Sequence, residues 1–317
     1  MTDIIDFTNC GLSPRNLEYG GRAGEKKGII YNNNFWILKF PKNTSAMQNT
    51  KGLSYVTSPL SEYIGSNIYK LLGYDAHETI LGIYNDGRKN KVVCACKDFI
   101  NNDKNELLIP YTALRNDTNP IIMEDKSDSP FTASNINEII FQLEHNTVLS
   151  QIPFAKQRFW DVVIIDMLIN NNDRNEDNWG VIKFKNTNTY NMSPIYDCGN
   201  CFYSKATEER ISSIMADKEK LESSATNGIT AYENDDGTQI RNDQILNLDN
   251  LDLNASIKRV FERVVHILPD IEDFINNISE SYKDISIISP LRKEYYITTF
   301  KIRLEKILKP KYELLLK

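Results

Sequence analysis

The sequence predicts an α+β fold of two lobes, on three observations. The first hundred residues alternate Gly- and Asn-rich turns with short strand-like runs, a single helical stretch interrupts them, and the remainder carries mainly helical periodicity. The division is expected as 1–100, a β-rich lobe with one helix, and 101–317, a larger and mainly helical lobe ending in helices. A chain of 317 residues, 25% of them charged, is long enough to bury a sizeable core.

Within the first lobe, the runs Ile29 to Tyr31 and Phe35 to Phe40 flank Asn32-Asn33-Asn34 and predict a hairpin. A helix is expected from Ser58 as N-cap, with Pro59 at its first position, to Gly73. Its Leu60, Ile64, Ile68 and Leu71 share one face, which packs on a sheet. Strand-like runs follow at Thr79 to Tyr84 and Lys91 to Cys96. Beyond residue 100, Phe159 to Ile169 is apolar nearly all round and predicts a buried helix. Helical spacing returns at Ile257 to Ile275 and at Tyr296 to Leu308, where Ile297, Phe300, Leu304, Ile307 and Leu308 form a stripe. Between these helices and the middle of the chain, Tyr203 to Leu246 is polar, carries the turn signal Asn234-Asp235-Asp236-Gly237 and reads as a mobile excursion.

Composition excludes several classes. A net charge of -6 and a pI near 5.3 give no overall positive field for a nucleic-acid backbone. No apolar run approaches the roughly 20 residues that span a bilayer, and Met1 to Asp6 lacks the basic and apolar regions of a signal peptide, so a soluble, cytoplasmic protein is expected. Five cysteines, an odd number, argue for free thiols in a reducing compartment. Cys94, Cys96, Cys198 and Cys201 read as such thiols rather than a zinc site, because Cys-x-Cys in a strand lacks knuckle spacing. The histidines, His77, His145 and His266, are scattered and have no matching Ser or Cys elbow, which argues against a His-dependent hydrolase.

The chemistry concentrates in three places. Asp173 and Asn178 stand five positions apart in the run Asn170 to Gly180, directly after the apolar helix. A carboxylate there can accept a hydroxyl proton and a carboxamide can supply an oxygen to Mg²⁺. A strand-like segment then leads to Asp197 in Tyr196-Asp197-Cys198-Gly199. Asp-x-x-x-x-Asn, then a strand, then Asp-x-Gly is the order in which kinases place a base and two metal ligands; alone, each carboxylate reads rather as an ordinary turn residue. In the first lobe, glycines in Tyr19 to Gly28 let backbone amides close over phosphate oxygens, although the run matches neither Walker A nor a strict G-x-G-x-x-G. Lys39 is a lone cation in the apolar strand Trp36 to Phe40, where it either snorkels at an edge or finds a partner, and Glu62 on the next helix is the candidate. Lys97, Asp98 and Phe99 end the last strand of the lobe, where a linker can offer backbone groups to an adenine.

Taken in order, Tyr19-Gly20-Gly21 to Gly28, Leu38-Lys39-Phe40-Pro41, Ser61 to Gly65, Cys96 to Phe99, Asp173 to Asn178 and Tyr196-Asp197 resemble the landmarks of HipA-like kinases. The match is to compact members lacking the N-terminal barrel-like extension of HipA toxins, and it spans about residues 15–200. The resemblance implies a two-lobed protein-kinase-like fold, Ser/Thr protein kinase activity with autophosphorylation, and the cofactors ATP and Mg²⁺. It implies that Lys39 contacts phosphates with Glu62 as its carboxylate, that Gly20, Gly21, Ala23, Gly24 and Lys26 belong to the phosphate loop, and that Lys97, Asp98 and Phe99 form the hinge. Asp173 is then the base, and Asn178 and Asp197 hold the metal. The partners implied are a protein substrate and an antitoxin-like or host protein, with delivery outside the cell known for a family member. Two departures stand out: Asn175 replaces the His found two positions after the base in many relatives, and Leu17 to Gly28 holds no Ser or Thr for the loop-ejecting modification of some toxins. A phosphatidylinositol-type lipid kinase and a nucleotide-binding pseudokinase are the alternatives. The acidic charge disfavours the first, and joint retention of Lys39, Asp173, Asn178 and Asp197 disfavours the second.

Overall fold

The structure is a computed structural model that describes residues 2–17, 26–41, 57–100, 105–118 and 134–317. Its architecture is α+β, as expected, and the residues pack as two compact units. One comprises Met1–Phe99, Asp197–Ala225 and Val264–Ile302; the other comprises Ile100–Tyr196, Thr226–Arg263 and Arg303–Lys317.

The first unit is built on a six-stranded sheet, in spatial order Ile5–Asp6, Thr79–Asn85, Asn90–Lys97, Asn34–Lys39, Lys26–Tyr31 and Gly11–Leu12. The expected hairpin is present: Tyr31 pairs with Asn34, and the two residues between them, Asn32 and Asn33, both adopt positive φ. Asparagine tolerates that left-handed conformation, and two such residues make the tight turn whose twist suits a hairpin. Phe7, Ile29, Trp36, Leu38, Phe40, Val93 and Ala95 form the core on one face of the sheet. Burying a side chain such as Leu38 contributes about 1.5–3 kcal/mol. The helix Ser58–Leu71 has Thr57 rather than Ser58 as its N-cap, without a side-chain capping bond, and Pro59 follows in its first turn, where a missing N–H costs nothing. It stops at Gly73, at φ 77°, where Gly73 N–H and Tyr74 N–H bond back to the Lys70 and Tyr69 carbonyls.

In the second unit, the apolar run becomes the helix Ala155–Ile169, buried along nearly all of its length. Asn170 ends it in the left-handed region, at φ 53°, so the chain turns into the Asp173–Asn178 loop at a defined place. Glu106–Pro110, Gly180–Phe184 and Thr189–Met192 make an antiparallel three-stranded sheet that receives the loop at Gly180. Two readings of the sequence are corrected. The segment leading to Asp197 is not a ladder strand, since only Ile195 forms an isolated bridge. Tyr203 to Leu246 is not an irregular excursion either: it contains the helices Glu208–Met215 and Lys218–Thr226, the strands Ile229–Glu233 and Gln239–Arg241, and a helical turn Asn242–Ile245. Each of these elements buries only one or two apolar side chains, such as Ile211, Ala225, Tyr232, Ile240 and Ile245, so few residues sufficed to dock them. The stripe around Tyr296 to Leu308 belongs to the helix Pro290–Arg303 and a wider π turn, Leu304–Leu308, which keeps Leu304 and Leu308 buried. Among the described residues, no helix is long and apolar enough to cross a membrane.

Gly180 opens the strand after the loop, opposite Pro110, and a Cβ there would collide with the Ile109 carbonyl. Because the obstacle is backbone, Gly180→Ala is expected to destabilise the protein by about 1–3 kcal/mol. Urea denaturation checks this, and an unchanged midpoint would show that the sheet yields at that point.

Candidate functional site

In the first unit the strand Asn34–Lys39 ends on Lys39, whose side chain is 18% exposed, and the helix beside it presents Glu62, which is fully buried. The Lys39 ammonium lies 2.9 Å from Glu62 Oε2 and 2.7 Å from Asp197 Oδ1. Burial alone would lower the pKa of Lys39, but the charges of Asp197 and Glu62 more than offset this, and it sits well above the ordinary lysine value. Burial likewise pushes Glu62 up, yet Lys39 and the hydrogen bond from His77 hold it well below the usual carboxylate range. For Asp197 the same contest, burial against Lys39, ends in a lowered pKa. All three groups are therefore charged at neutral pH.

Asp197 reaches Lys39 because its segment docks on the helix Ser58–Leu71. Ser61 Oγ donates to the Cys201 carbonyl at 2.9 Å, and Thr57 Oγ1 donates to that of Ser204 at 2.6 Å. Gly65 permits the approach, since a Cβ there would stand 2.7 Å from Cys198 Cβ and from Cys201 Sγ. Asp197 itself has φ 58°, an uncommon conformation for a non-glycine residue. Its carboxylate keeps 37% exposure while one oxygen faces Lys39.

Lys26 stands opposite Lys39 across the hairpin, and burial followed by the Lys39 charge lowers its pKa. Gly20, Gly21, Ala23 and Gly24 lie outside the described residues. At the far end of the sheet, Lys97 pairs with Glu78 at 3.0 Å and Asp98 takes a 2.7 Å bond from Arg15. The amides of Lys97 and Asp98 donate to the Glu78 and Phe35 carbonyls, and Phe99 follows.

In the second unit the Asp173–Asn178 loop is held from beneath by Arg174. This buried guanidinium makes a bidentate pair with Asp166, at 2.8 and 3.2 Å, and also donates to the carbonyls of Asn178 and Tyr196. Asp166 takes a further bond from Asn171 Nδ2 at 3.0 Å. A planar five-donor cation suits this work, because it ties a helix end, both ends of the loop and the residue before Asp197 to one rigid fork. Above it, Asn178 Nδ2 donates to the Asp173 carbonyl at 2.6 Å, and Asn175 Nδ2 donates to Asp173 Oδ1 at 3.1 Å. Asn175 thus orients the Asp173 carboxylate. Asp173 is half-buried and Asn178 is 8% exposed.

The cysteines are free, with Cys94, Cys96, Cys198 and Cys201 buried. Among the described residues, the group of acids, thiols and imidazoles that converges closely enough to ligate an ion is Glu62, His77 and Cys96, whose ligand atoms lie within 4.8 Å of one another. The four cysteines form no such group. His77, which sequence reasoning set aside as scattered, is thus part of the Lys39 constellation. Its position just before the strand Thr79–Asn85 gave no periodic signal.

No family model matches the chain. Over 304 residues, 96% of this chain and 86% of the relative, it is 30% identical to the serine/threonine-protein kinase CtkA of Helicobacter pylori strain J99. The crystal structure of a Helicobacter pylori proinflammatory kinase, CtkA, superposes with a TM-score of 0.83 at 27% identity, covering 99% of this chain and 98% of that one. A HipA toxin of Shewanella oneidensis MR-1, solved with HipB and operator DNA, aligns at a TM-score of 0.49 and 15% identity over 95% and 70% of the two chains, a likeness too weak to weigh. The fold is therefore that of a protein-kinase-like enzyme. The chain belongs to the family of serine/threonine-protein kinases represented by CtkA.

The charges fix a pH dependence. Glu62 has a depressed pKa when folded, so its contribution is fully present above its ordinary value of 4.5 and is lost as pH falls below it. Lys39 has a raised pKa, so its contribution is full below 10.5 and is lost as pH rises above that value. The urea midpoint of the wild type is expected to drop between pH 6 and about pH 3.5 more steeply than that of Glu62→Gln, which cannot titrate. Equal slopes would remove Glu62 as a source of the acid sensitivity.

Proposed function

We propose that this kinase transfers the γ-phosphoryl group of ATP to serine or threonine hydroxyls of a protein acceptor and also phosphorylates itself. The observation that carries the reading is the Lys39 ammonium held between Glu62 and Asp197. A lysine kept charged and aimed by one buried carboxylate is suited to fix phosphate oxygens, while the second carboxylate stays partly exposed for a metal ion.

The donor set supports Mg²⁺. Asp197 offers a carboxylate and Asn178 a carboxamide, both hard oxygen ligands, and neither lies among the soft or nitrogen donors that would favour another metal. Asp197 and Asn178 would be the residues to hold Mg²⁺, which would supply charge neutralisation for the phosphoryl group in transfer. Lys39 fixes the phosphates, with Lys26 opposite it across the hairpin. Asp173 accepts the proton of the acceptor hydroxyl, its carboxylate turned by the amide of Asn175. Lys97, Asp98 and Phe99 border the adenine as a hinge. Most of the rate then comes from positioning and charge stabilisation.

The test is incubation of purified protein with γ-labelled ATP and Mg²⁺, with and without a generic protein acceptor. Asp173→Ala and Asp197→Ala are each expected to lower label transfer by at least about 10²-fold while the fold stays intact by circular dichroism. Wild-type protein that binds ATP and labels neither itself nor an acceptor would overturn the reading in favour of a pseudokinase.

Packing limits which hydroxyls between residues 203 and 246 are open to self-modification. Ser204 is buried, Thr207 caps the helix Glu208–Met215 by accepting from Arg210 N–H, and Ser224 is bonded to the Tyr295 hydroxyl. Ser212 and Ser213 are exposed. Phosphate mapped in this segment by mass spectrometry is expected on those two; phosphate on Ser204 would contradict its packing.

A further inference from the structure

Glu62 has no contact with water, yet a carboxylate carries two oxygens that each need a donor. Lys39 answers Oε2 at 2.9 Å. The other oxygen, Oε1, lies 3.0 Å from His77 Nε2. His77 is itself 5% exposed, and its Nε2 also stands 3.0 Å from the Ser66 hydroxyl. Ser66 is one turn beyond Glu62 on the same helix, so the imidazole sits against two successive turns on the face that looks at Lys39. The chain around His77 is anchored as well: Asn67, on the next residue of that helix, donates to Thr79 Oγ1 at 3.0 Å, and Ala76 and Thr79 bracket the histidine at the start of the sheet strand. His77 thus links the helix that bears Glu62 to the sheet that bears Lys39.

From this arrangement we infer that His77 is a positioning residue for phosphoryl transfer: as a neutral Nε2–H donor it fixes the Glu62 carboxylate and the rotation of its helix, and so holds Lys39 where it serves the phosphates. The inference rests on the proposed role of Lys39. Burial lowers the pKa of His77, which suits the neutral form; a second cation beside Lys39 would compete for the same carboxylate. Without the imidazole, Oε1 loses a donor in a site closed to water, and Glu62 must either turn both oxygens on Lys39 or draw in water. Lys39, already 2.7 Å from Asp197, then loses its fixed second anchor and is free to follow the Asp197 carboxylate alone. The role is that of an outer partner which orients a reacting group without touching substrate.

The experiment compares His77→Ala, His77→Gln and His77→Leu, with Lys39→Ala and Glu62→Gln alongside, in steady-state assays that vary Mg-ATP on the full chain. Gln keeps an uncharged N–H donor of similar reach, whereas Leu fills the space and has none. His77→Leu and His77→Ala are expected to lose at least about tenfold in kcat/KM for ATP, with Gln within about threefold of the wild type. In a Glu62→Gln background, His77→Leu should add less than about twofold, because both substitutions break one unit. Should the alanine variant fail to fold, the Gln and Leu pair carries the comparison at matched thermal stability. Full activity in folded His77→Leu, or losses that multiply across the double variant, would overturn the role of His77 while leaving Lys39 untouched. Retained activity in Lys39→Ala would instead overturn the reading of the site on which the inference stands.

Discussion

An ammonium group withdrawn from water must be answered by negative charge within reach, and the first unit is organised around meeting that demand for Lys39. The strand that carries it belongs to the middle of a six-stranded sheet with an apolar core, so the lysine has little freedom to retreat. Glu62 on a buried helix and Asp197 on a segment docked against that helix supply the two carboxylates. The glycine at position 65, the left-handed backbone at Asp197 and the hydroxyls of Thr57 and Ser61 are all accounted for by the need to bring that segment close. A buried network of this kind is costly when half satisfied, because low dielectric strengthens every pairing and every failure to pair. That is why His77 belongs in the account as much as the more evident charges.

The second unit solves a different problem, that of holding an irregular loop still. A run as rich in asparagine and aspartate as 170–178 has many competing local hydrogen bonds. One conformation is selected by Arg174, whose donors engage Asp166, Asn178 and Tyr196. Asn178 and Asn175 then engage the backbone and carboxylate of Asp173. The rigid base is the apolar helix Ala155–Ile169, which ends at Asn170 in the left-handed conformation. Loop and helix together show how a polar functional segment is fixed by an apolar one.

Much of this was legible in the chain because it depends on neighbours in sequence. The two-asparagine turn, the helix beginning near Pro59 and closed by Gly73, and the apolar helix before the loop all follow from local conformational preference and periodicity. The segment from Tyr203 to Leu246 did not yield to the same reasoning. Its helices and strands are short and each buries only one or two apolar residues, so their stability comes from docking rather than from propensity. The approach to Asp197 read as a strand because Ile195 and Tyr196 have strand character, but no neighbour pairs with it beyond one bridge. His77 was passed over because a single histidine between a helix and a strand has no pattern; its meaning lies in two distances to a helix eleven and fifteen residues away.

By itself, then, the order of residues determined the α+β class and marked the candidates Lys39, Glu62, Asp173, Asn178 and Asp197, since each stands in a local environment of strand, helix or turn. Tertiary structure decided which of them meet within the first unit, and it alone made His77 and Gly65 intelligible. The reason is physical: propensity and periodicity act over a few residues, whereas the pairing of buried charges is settled only when segments as far apart as 39, 62, 77 and 197 are brought out of water together.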